Sequence, residues 1–530
     1  MNKKRNVILS IVLVFLCLFS MISCSGQGGP QNQENLNEME LEVGIYNGGY
    51  GESWLYMAKE AFESVYPEYK INIRPSKSFY MTDLLSSIDI NAQDVYFAPI
   101  RYMEFVSQGK LKPISEDTMN KPLSEILRGS TETKSISEKI SDEMNDYYKT
   151  DSGYYAIPFG GSVYGINYSI DLFEDSNLYI GSASTADRIE WVGASGEKSL
   201  GQDGLPDTYD DGLPVTWGEF QKLMDRMIES GITPFTWANR SAGMTPNSLM
   251  SLMVSNEGAD NFKILTDFSG EYTFAGDESP TPITKEKGYL LQGMSGKKFA
   301  LDFTEKIVRG NYADGQAGLH SYMDAQTYFI SKIDDENPIA MLLEGGHWHN
   351  EAKAEITTQR FGVMPFPKFE GSAMYNESRS TYYGSSMNGA VFMSQKTKKQ
   401  ELAELFIAFT CSEDMLRLCT RESGMVRPYD YELQKSDLEA MPEFYQTCWE
   451  ACHSDRVDVV TFMTKTDMVY QNLSYFEEEW PWDYTKNGAS YSDPLNDFLG
   501  NRSLTADAYW SGLKEYSSKL RWDAKFSEWY

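Results

Sequence analysis

Histidine is scarce in this 530-residue sequence, and the cysteine spacing typical of metal sites is missing. Four histidines occur (His320, His347, His349, His453) and there is no C-x-x-C, which argues against a zinc site. Neither G-x-S-x-G nor H-E-x-x-H is present, so the common serine-hydrolase and zinc-protease signatures are missing too. A basic surplus is lacking: Asp and Glu outnumber Lys and Arg by 77 to 47, a formal charge of -30, which argues against nucleic acid and anionic lipid as partners. After the first two dozen residues no second long apolar run follows, and internal repeats are not evident. What is abundant is aromatic: 14% of residues, with 34 Tyr and 11 Trp, more than core packing asks for and suited to a surface that binds flat apolar faces.

The chain opens with Lys3, Lys4 and Arg5, continues with an apolar run from Val7 to Ile22, and reaches Ser23-Cys24. That order is a signal peptide, and its apolar part falls short of the roughly 20 residues of a comfortable membrane span. Residues 1–23 are therefore expected to be removed. Met21-Ile22-Ser23-Cys24 resembles the bacterial lipobox, with Met where Leu is usual, and implies a lipid on Cys24. Ser25 to Asn37 is rich in Gly, Gln and Asn, so 24–39 reads as a flexible tether.

The roughly 500 residues that remain exceed what one hydrophobic core usually supports, so two or more domains are expected. Short apolar strands alternate with amphipathic helices from Leu41 onward: strands at 41–46, 71–74 and 94–98, helices at 54–65 and 80–88, the pattern of an α/β protein. Thr216-Trp217-Gly218-Glu219 reads as a capping box opening a helix with Phe220, Leu223, Met224, Met227 and Ile228 on one face, ended by Gly231. Another helix is expected over 398–410, with Leu402, Leu405, Phe406 and Phe409 inward. Stretches 181–213 and 267–298 read as surface insertions. Cys411, Cys419, Cys448 and Cys452 allow three full disulfide pairings, and free buried thiols are an equal alternative.

Several blocks, in order, resemble the family 1 extracellular solute-binding proteins, the sugar-capturing lipoproteins of ABC importers. They are Val43-Gly44-Ile45-Tyr46-Asn47-Gly48-Gly49-Tyr50-Gly51; Asp94-Val95-Tyr96-Phe97-Ala98; Gly109 to Ile114; and Gly153-Tyr154-Tyr155-Ala156-Ile157-Pro158-Phe159 leading into Val163 to Tyr168. Leu213 to Phe220 with Gly231-Ile232-Thr233-Pro234-Phe235, Ala340 to Trp348, and Phe361 to Pro367 continue the series. The resemblance implies a two-lobed fold of the type II periplasmic-binding-protein kind, with discontinuous lobes joined by crossing strands and ligand between them. Its blocks place 40–157 plus 360–411 in lobe 1 and 158–359 plus 412–530 in lobe 2. It further implies a monomer on the outer face of the membrane, carrying a carbohydrate to ABC permease subunits, with no cofactor required and no enzymatic activity.

Carbohydrate rings are held by aromatic faces and planar hydrogen-bonding groups. Trp348, matching the family's cleft Trp, is the first candidate, flanked by Glu344 and His347; a core Trp and plain rim residues are the competing readings. Asn47 and Tyr50 follow the first strand, where open α/β sheets place ligands, although the Gly run also suits a simple turn. Arg101 and Tyr102 follow the third strand. Tyr164, Trp237 and Tyr383 lie at further strand ends and compete evenly with core packing. The loop containing Asp203, Asp207, Asp210 and Asp211 is similar to an oxygen-rich calcium loop but lacks the closing Glu of an EF-hand, so a structural calcium stands against a solvated acidic turn. A glycoside hydrolase, which needs two carboxylates across a cleft, and a peptide-binding transport protein are the alternative functions.

Overall fold

A computed structural model describes residues 38–161, 163–185, 188–239, 243–384 and 389–530. The expected leader, Cys24 and nearly all of the expected tether lie outside the described residues. Contacts divide the chain into Met1–Glu40 and Leu41–Tyr530, and the larger unit carries the sheets and sites.

Twelve strands build two large sheets: β1 (Glu40–Ile45), β2 (Lys70–Pro75), β3 (Val95–Pro99), β4 (Leu111–Lys112), β5 (Ala156–Gly160), β6 (Val163–Ser169), β7 (Thr233–Trp237), β8 (Ile339–Gly345), β9 (Phe361–Met364), β10 (Ser380–Gly384), β11 (Gly389–Ser394) and β12 (Val457–Thr461). The first sheet runs β2-β1-β3-β11-β4, with β5 also on β11; the second runs β7-β8-β6-β10-β12, with β9 also on β6. Burial follows position. Central β3 is buried throughout, whereas edge strand β2 fully buries only Ile71, as a strand covered on one side only should.

Helix α1 (Ser53–Val65) buries Trp54, Leu55, Ala58 and Phe62, a helical spacing that turns one stripe onto the first sheet. Phe62 meets Phe406 and Phe409 of α4 edge-on at 5.2 and 5.3 Å; the intervening α2 (Trp217–Glu229) and α3 (Met244–Asp267) belong to the second sheet, and α4 spans Gln400–Thr410. α2 starts at the expected capping box: the Glu219 N–H donates to Thr216 Oγ1 at 3.2 Å and the Thr216 N–H to Glu219 Oε2 at 2.9 Å. Its Ile228 faces outward, at 46% exposure, because the stripe ends at Met227. α3 is broken at Gly258, whose φ of 78° only glycine adopts without strain.

The sheets redraw the expected lobe boundaries. β9 and β10 pair with β6, so 361–384 belongs with the second sheet rather than with lobe 1. Conversely, α5 (Glu413–Ser423) and the loop through Tyr431 join the first core, where Leu416, Cys419, Met425 and Tyr429 are buried. Polar ties fasten that segment: Lys139 Nζ donates to Cys411 O at 2.9 Å and the Glu413 N–H to Glu132 Oε1 at 2.8 Å. The apolar face of α5 finds its cover on α1, not on the second sheet, and burial rather than chain order decides membership.

The 267–298 stretch is more than decoration. Its hairpin and the 3-10 helix Lys285–Gly293 bury Tyr272, Ile283 and Leu291 in a core shared with Phe462, Trp480 and Trp522. Cys411, Cys419, Cys448 and Cys452 are all free thiols, the first three buried.

Candidate functional site at the meeting of the two sheets

Strand polarity brings a set of ends together. In the first sheet, β1 and β3 run parallel, and β11 pairs antiparallel with β3 and β5. Hence the loops after Ile45 and Pro99, the end of β5 and the start of β11 share one edge. In the second sheet β6 is antiparallel to β8 and β10, while β7 and β12 follow those neighbours in parallel, so Val163, Gly345, Gly384, Thr461 and Trp237 share one end. The chain passes from β5 to β6 and from β10 to β11 there, so the two ends face each other. This is where open α/β sheets hold ligands.

The Gly-rich loop after β1 is clasped across this meeting point. Gly49 and Gly51 adopt φ of 62° and 64°, which lets the loop fold back closely enough for a Cβ on Gly49 to lie 3.4 Å from His347. The Gly49 N–H donates to Glu351 Oε1 at 3.0 Å, and Asn350 Nδ2 donates to Gly49 O at 2.8 Å. Both acceptor and donor come from the short helix Trp348–Glu351 that follows β8.

Four of the expected residues gather beside the clasp. The Tyr50 and His347 rings meet edge-on at 6.4 Å, and His347 meets Tyr164 at 6.2 Å. Tyr164 pairs across strands with both Gly345 and Tyr383, and its hydroxyl accepts from Asn247 Nδ2 at 3.4 Å. Tyr383 donates to Glu477 Oε1 at 3.3 Å, and next to it Glu478 binds Arg101 at 3.4 Å. A space of about 40 Å³ remains, lined by Tyr46, Tyr50, Phe159 and His347 among others.

Glu344 lies underneath, fully buried. Its Oε1 is 3.7 Å from His347 Nε2, and its Oε2 has no hydrogen-bond partner. Burial, aided by the charge of Glu351, holds its carboxyl well above the usual range, and burial lowers His347 although Glu351 opposes this. Both shifts favour the uncharged forms of the acid and the imidazole over a salt bridge. Asn47 is half-buried, with Oδ1 unpartnered.

Two tryptophans do not join this group. Trp348 is fully buried, edge-on to Phe329, Phe361 and Phe444 at 5.7, 5.0 and 5.6 Å. The turn at Gly345-Gly346 sends the first helical residue beneath the sheet, so its ring fills core rather than facing a ligand. Trp237 lies on the same strand face as Phe235, two residues away, and both are sealed in the second core.

Arg101 and Tyr102 border a much larger cavity of about 750 Å³ between the two lobes, along the edge strand β12. The first lobe supplies Tyr147, Tyr148, Gly160 and Tyr429 to its wall, and the second Val163, Arg379, His453, Asp458 and Phe462. Tyr102 is buried, packs on Tyr148 at 4.9 Å and donates its hydroxyl to Tyr148 O at 2.6 Å. Arg379 binds Asp458 at 2.6 Å, while Glu138, Asp142, Glu143, Asp430 and Asp455 give the exposed rim an acidic character. His453, stacked on Trp449, is lowered to about 4 by burial and stays neutral. The Tyr147-Tyr148 doublet just ahead of the Gly153 block was a visible signal for this wall; Phe462 and His453 lie in the C-terminal remainder, beyond the family blocks, and carried none.

The acidic loop folds onto its own backbone. Asp210 Oδ2 accepts from the Gln202 and Asp203 N–H groups at 2.6 and 3.2 Å, and Asp211 Oδ2 from the Asp207 N–H at 2.7 Å. Burial and the neighbouring Asp203 raise Asp210 to about 6. Asp203 Oδ2 and Asp211 Oδ1 are left without partners. Among the described residues no three His, Cys, Asp or Glu side chains converge as a metal shell.

Two α/β lobes, joined by crossing strands and enclosing a cavity, define a type II binding-protein fold. The chain belongs to the bacterial extracellular solute-binding proteins, whose family profile matches residues 47–415. It therefore works outside the cytoplasm, and among the described residues no helix is long and apolar enough to cross a membrane. Three solved structures share the fold. The apo-form of RafE from Streptococcus pneumoniae has a TM-score of 0.56 at 14% identity, covering 92% of this chain and 98% of that one. A protein studied for xylan utilization by the thermophilic bacterium Caldanaerobius polysaccharolyticus has 0.55 at 12%, covering 90% and 99%. The bacterial solute receptor AcbH, with an exclusive substrate preference for β-D-galactopyranose, has 0.51 at 12%, covering 91% and 97%. No curated protein matches in sequence.

Proposed function

We propose that this chain captures a carbohydrate, an oligosaccharide by the size of the cavity, between its lobes and hands it to the permease subunits of an ABC importer. The observation that carries this reading is the interlobe cavity of about 750 Å³, walled by tyrosines and by arginines from both lobes, a volume within the usual range of ligand sites. Arg101 would hold ring hydroxyls at the cavity wall, with Tyr102 packed behind it as support, and Asn47, Tyr50, Tyr164, His347 and Tyr383 would engage from the strand ends when the clasp loosens. The ligands of fold relatives, β-D-galactopyranose for AcbH and raffinose for RafE, support a sugar over a peptide. Ligand favours closure only through contacts made to both lobes at once. The chain acts as a binder and not as an enzyme, as a monomer, and a lipid on Cys24 keeps it near its permease.

A thermal-shift screen over mono- and oligosaccharides tests this, because a ligand stabilises the folded state by mass action. A rise in Tm with a glycan that is recovered uncut is expected. Cleaved product would favour a hydrolase, and a response to peptides alone would favour the peptide-transport alternative. The unpartnered oxygens of Asp203 and Asp211 support a structural calcium held by Asp203, Asp207, Asp210 and Asp211, as a clip on the loop. A calcium-dependent rise in Tm, abolished by chelator and absent in Asp203→Asn, is its expected signature.

A further inference from the structure

A second pocket, of about 320 Å³, lies in the C-terminal part of the chain, and none of its lining residues borders the interlobe cavity. Its walls are the short helix Tyr475–Glu479, the hairpin of β13 (Tyr484–Lys486) and β14 (Ala489–Tyr491), the end of α7 (Ala506–Tyr516), and α8 (Lys519–Phe526); between α5 and α7 in the chain lies α6 (Glu443–His453). The floor is sealed: Trp480, Trp522 and Phe526 are buried, with the Trp522 ring in contact with both of the others.

Above that floor the lining changes character. Tyr475, Tyr491 and Tyr516 remain half-buried, their rings reaching the pocket instead of closing it. Tyr491 lies flat on Tyr484, with ring centres 4.6 Å apart and planes within 12°, which fixes one broad aromatic wall. Two acids one helical turn apart, Glu479 and Asp483, face the pocket, and so do two bases one turn apart, Arg521 and Lys525. Lys525 sits over the Tyr475 ring at 3.2 Å and Arg521 over Tyr516 at 4.4 Å.

We infer that this pocket is a second binding site, one that takes a neutral pyranose ring. With Tyr475 and Tyr516 each covered by a cation, the Tyr491 ring, held from behind by Tyr484, supplies the plane for the C–H face of a sugar, and planar carboxylate and guanidinium groups suit its hydroxyls. The charge pattern selects the class. Two acids and two bases balance within the pocket, so a charged ligand would leave like charge facing it, whereas a polyhydroxylated neutral ligand donates to the acids and accepts from the bases. The volume sits at the small end of ligand pockets, enough for a ring or two and not for an extended chain.

The test uses the purified full chain and three probes, the methyl pyranosides of glucose, galactose and xylose, read by saturation-transfer NMR. At least one probe is expected to give a signal that falls five-fold or more in both Tyr491→Ala and Glu479→Gln and survives in the interlobe variant Arg101→Ala. Glu479 is exposed, so Glu479→Gln keeps its fold even if Tyr491→Ala loosens the hairpin. No signal from any probe would overturn the second site and leave the interlobe reading to its own screen with oligosaccharides. A signal lost only in Arg101→Ala would also overturn it, since the probe would then sit between the lobes. Methyl glucuronide is expected to bind at least several-fold more weakly than the best neutral probe, and equal or tighter binding would overturn the neutral class.

Discussion

The strand-end cluster around His347 and the cavity along β12 adjoin the same crossing strands, yet they are built differently. The cluster is closed and largely buried. Its loop is bonded across the lobes through Gly49, burial pushes its acid toward the protonated form, and only about 40 Å³ of space is left. The cavity is roomy and wet at the rim, where exposed carboxylates collect and arginines are already paired. The difference teaches that neighbouring strand ends divide into those that border open space and those enclosed behind the clasp.

Removing core from beneath the cluster should have the largest effect. Trp348→Ala is expected to lower stability by about 3–5 kcal/mol, the usual loss for a buried aromatic, measured by urea unfolding. A variant with unchanged stability but lost ligand affinity would return Trp348 to the ligand surface and break the distinction.

Arg101 stands on the cavity side. Arg101→Ala is expected to weaken ligand binding by about 1.5–3 kcal/mol, the range of a hydrogen bond to a charged group, or roughly 10- to 150-fold in Kd by calorimetry. The unliganded protein should change little, because its pair with Glu478 is largely solvated on the Glu side, which is 59% exposed.

Glu344 tests whether the cluster is dry. An acid whose folded pKa is raised keeps its proton after the unfolded chain has lost one, so stability falls as pH climbs above the ordinary carboxylate value. Glu344→Gln is therefore expected to be more stable than the parent at pH 7, with the advantage fading toward pH 4. Thermal melts across that range check it, and an advantage independent of pH would mean the carboxylate is ionised in place.

The smallest effect expected is on the clasp. Asn350→Ala removes one cross-lobe hydrogen bond, worth about 1 kcal/mol, and should shift the ligand-free protein toward a more open arrangement. Small-angle scattering would register a larger radius of gyration; an unchanged radius would show that Gly49 is not what holds the lobes together.

Much of the framework was legible because periodicity is a local property. Leu41, Val43 and Ile45 alternate as a strand, Trp54, Leu55, Ala58 and Phe62 repeat as a helix, and Thr216 with Glu219 caps the next one as its spacing requires. The ordered blocks also placed Tyr50, Tyr164 and His347 at strand ends that meet, and Tyr383 reads as a further strand end beside them. Illegible were the directions of Trp348 and Trp237, which depend on a turn and on strand register, and the walls supplied by Phe462 and His453, which lie far along the chain from any recognisable block.

Composition and the strand-and-helix alternation thus determined, by themselves, an α/β body, because burial patterns over a few residues suffice for secondary structure, while the solute-binding kind came from the resemblance of the ordered blocks. Only the tertiary structure decided that α5 joins the first core, that 361–384 joins the second sheet, and that burial raises the Glu344 carboxyl and lowers the His347 imidazole. Those outcomes depend on which apolar faces find each other and on how far water is excluded from a carboxyl, quantities set by contacts between residues more than a hundred positions apart.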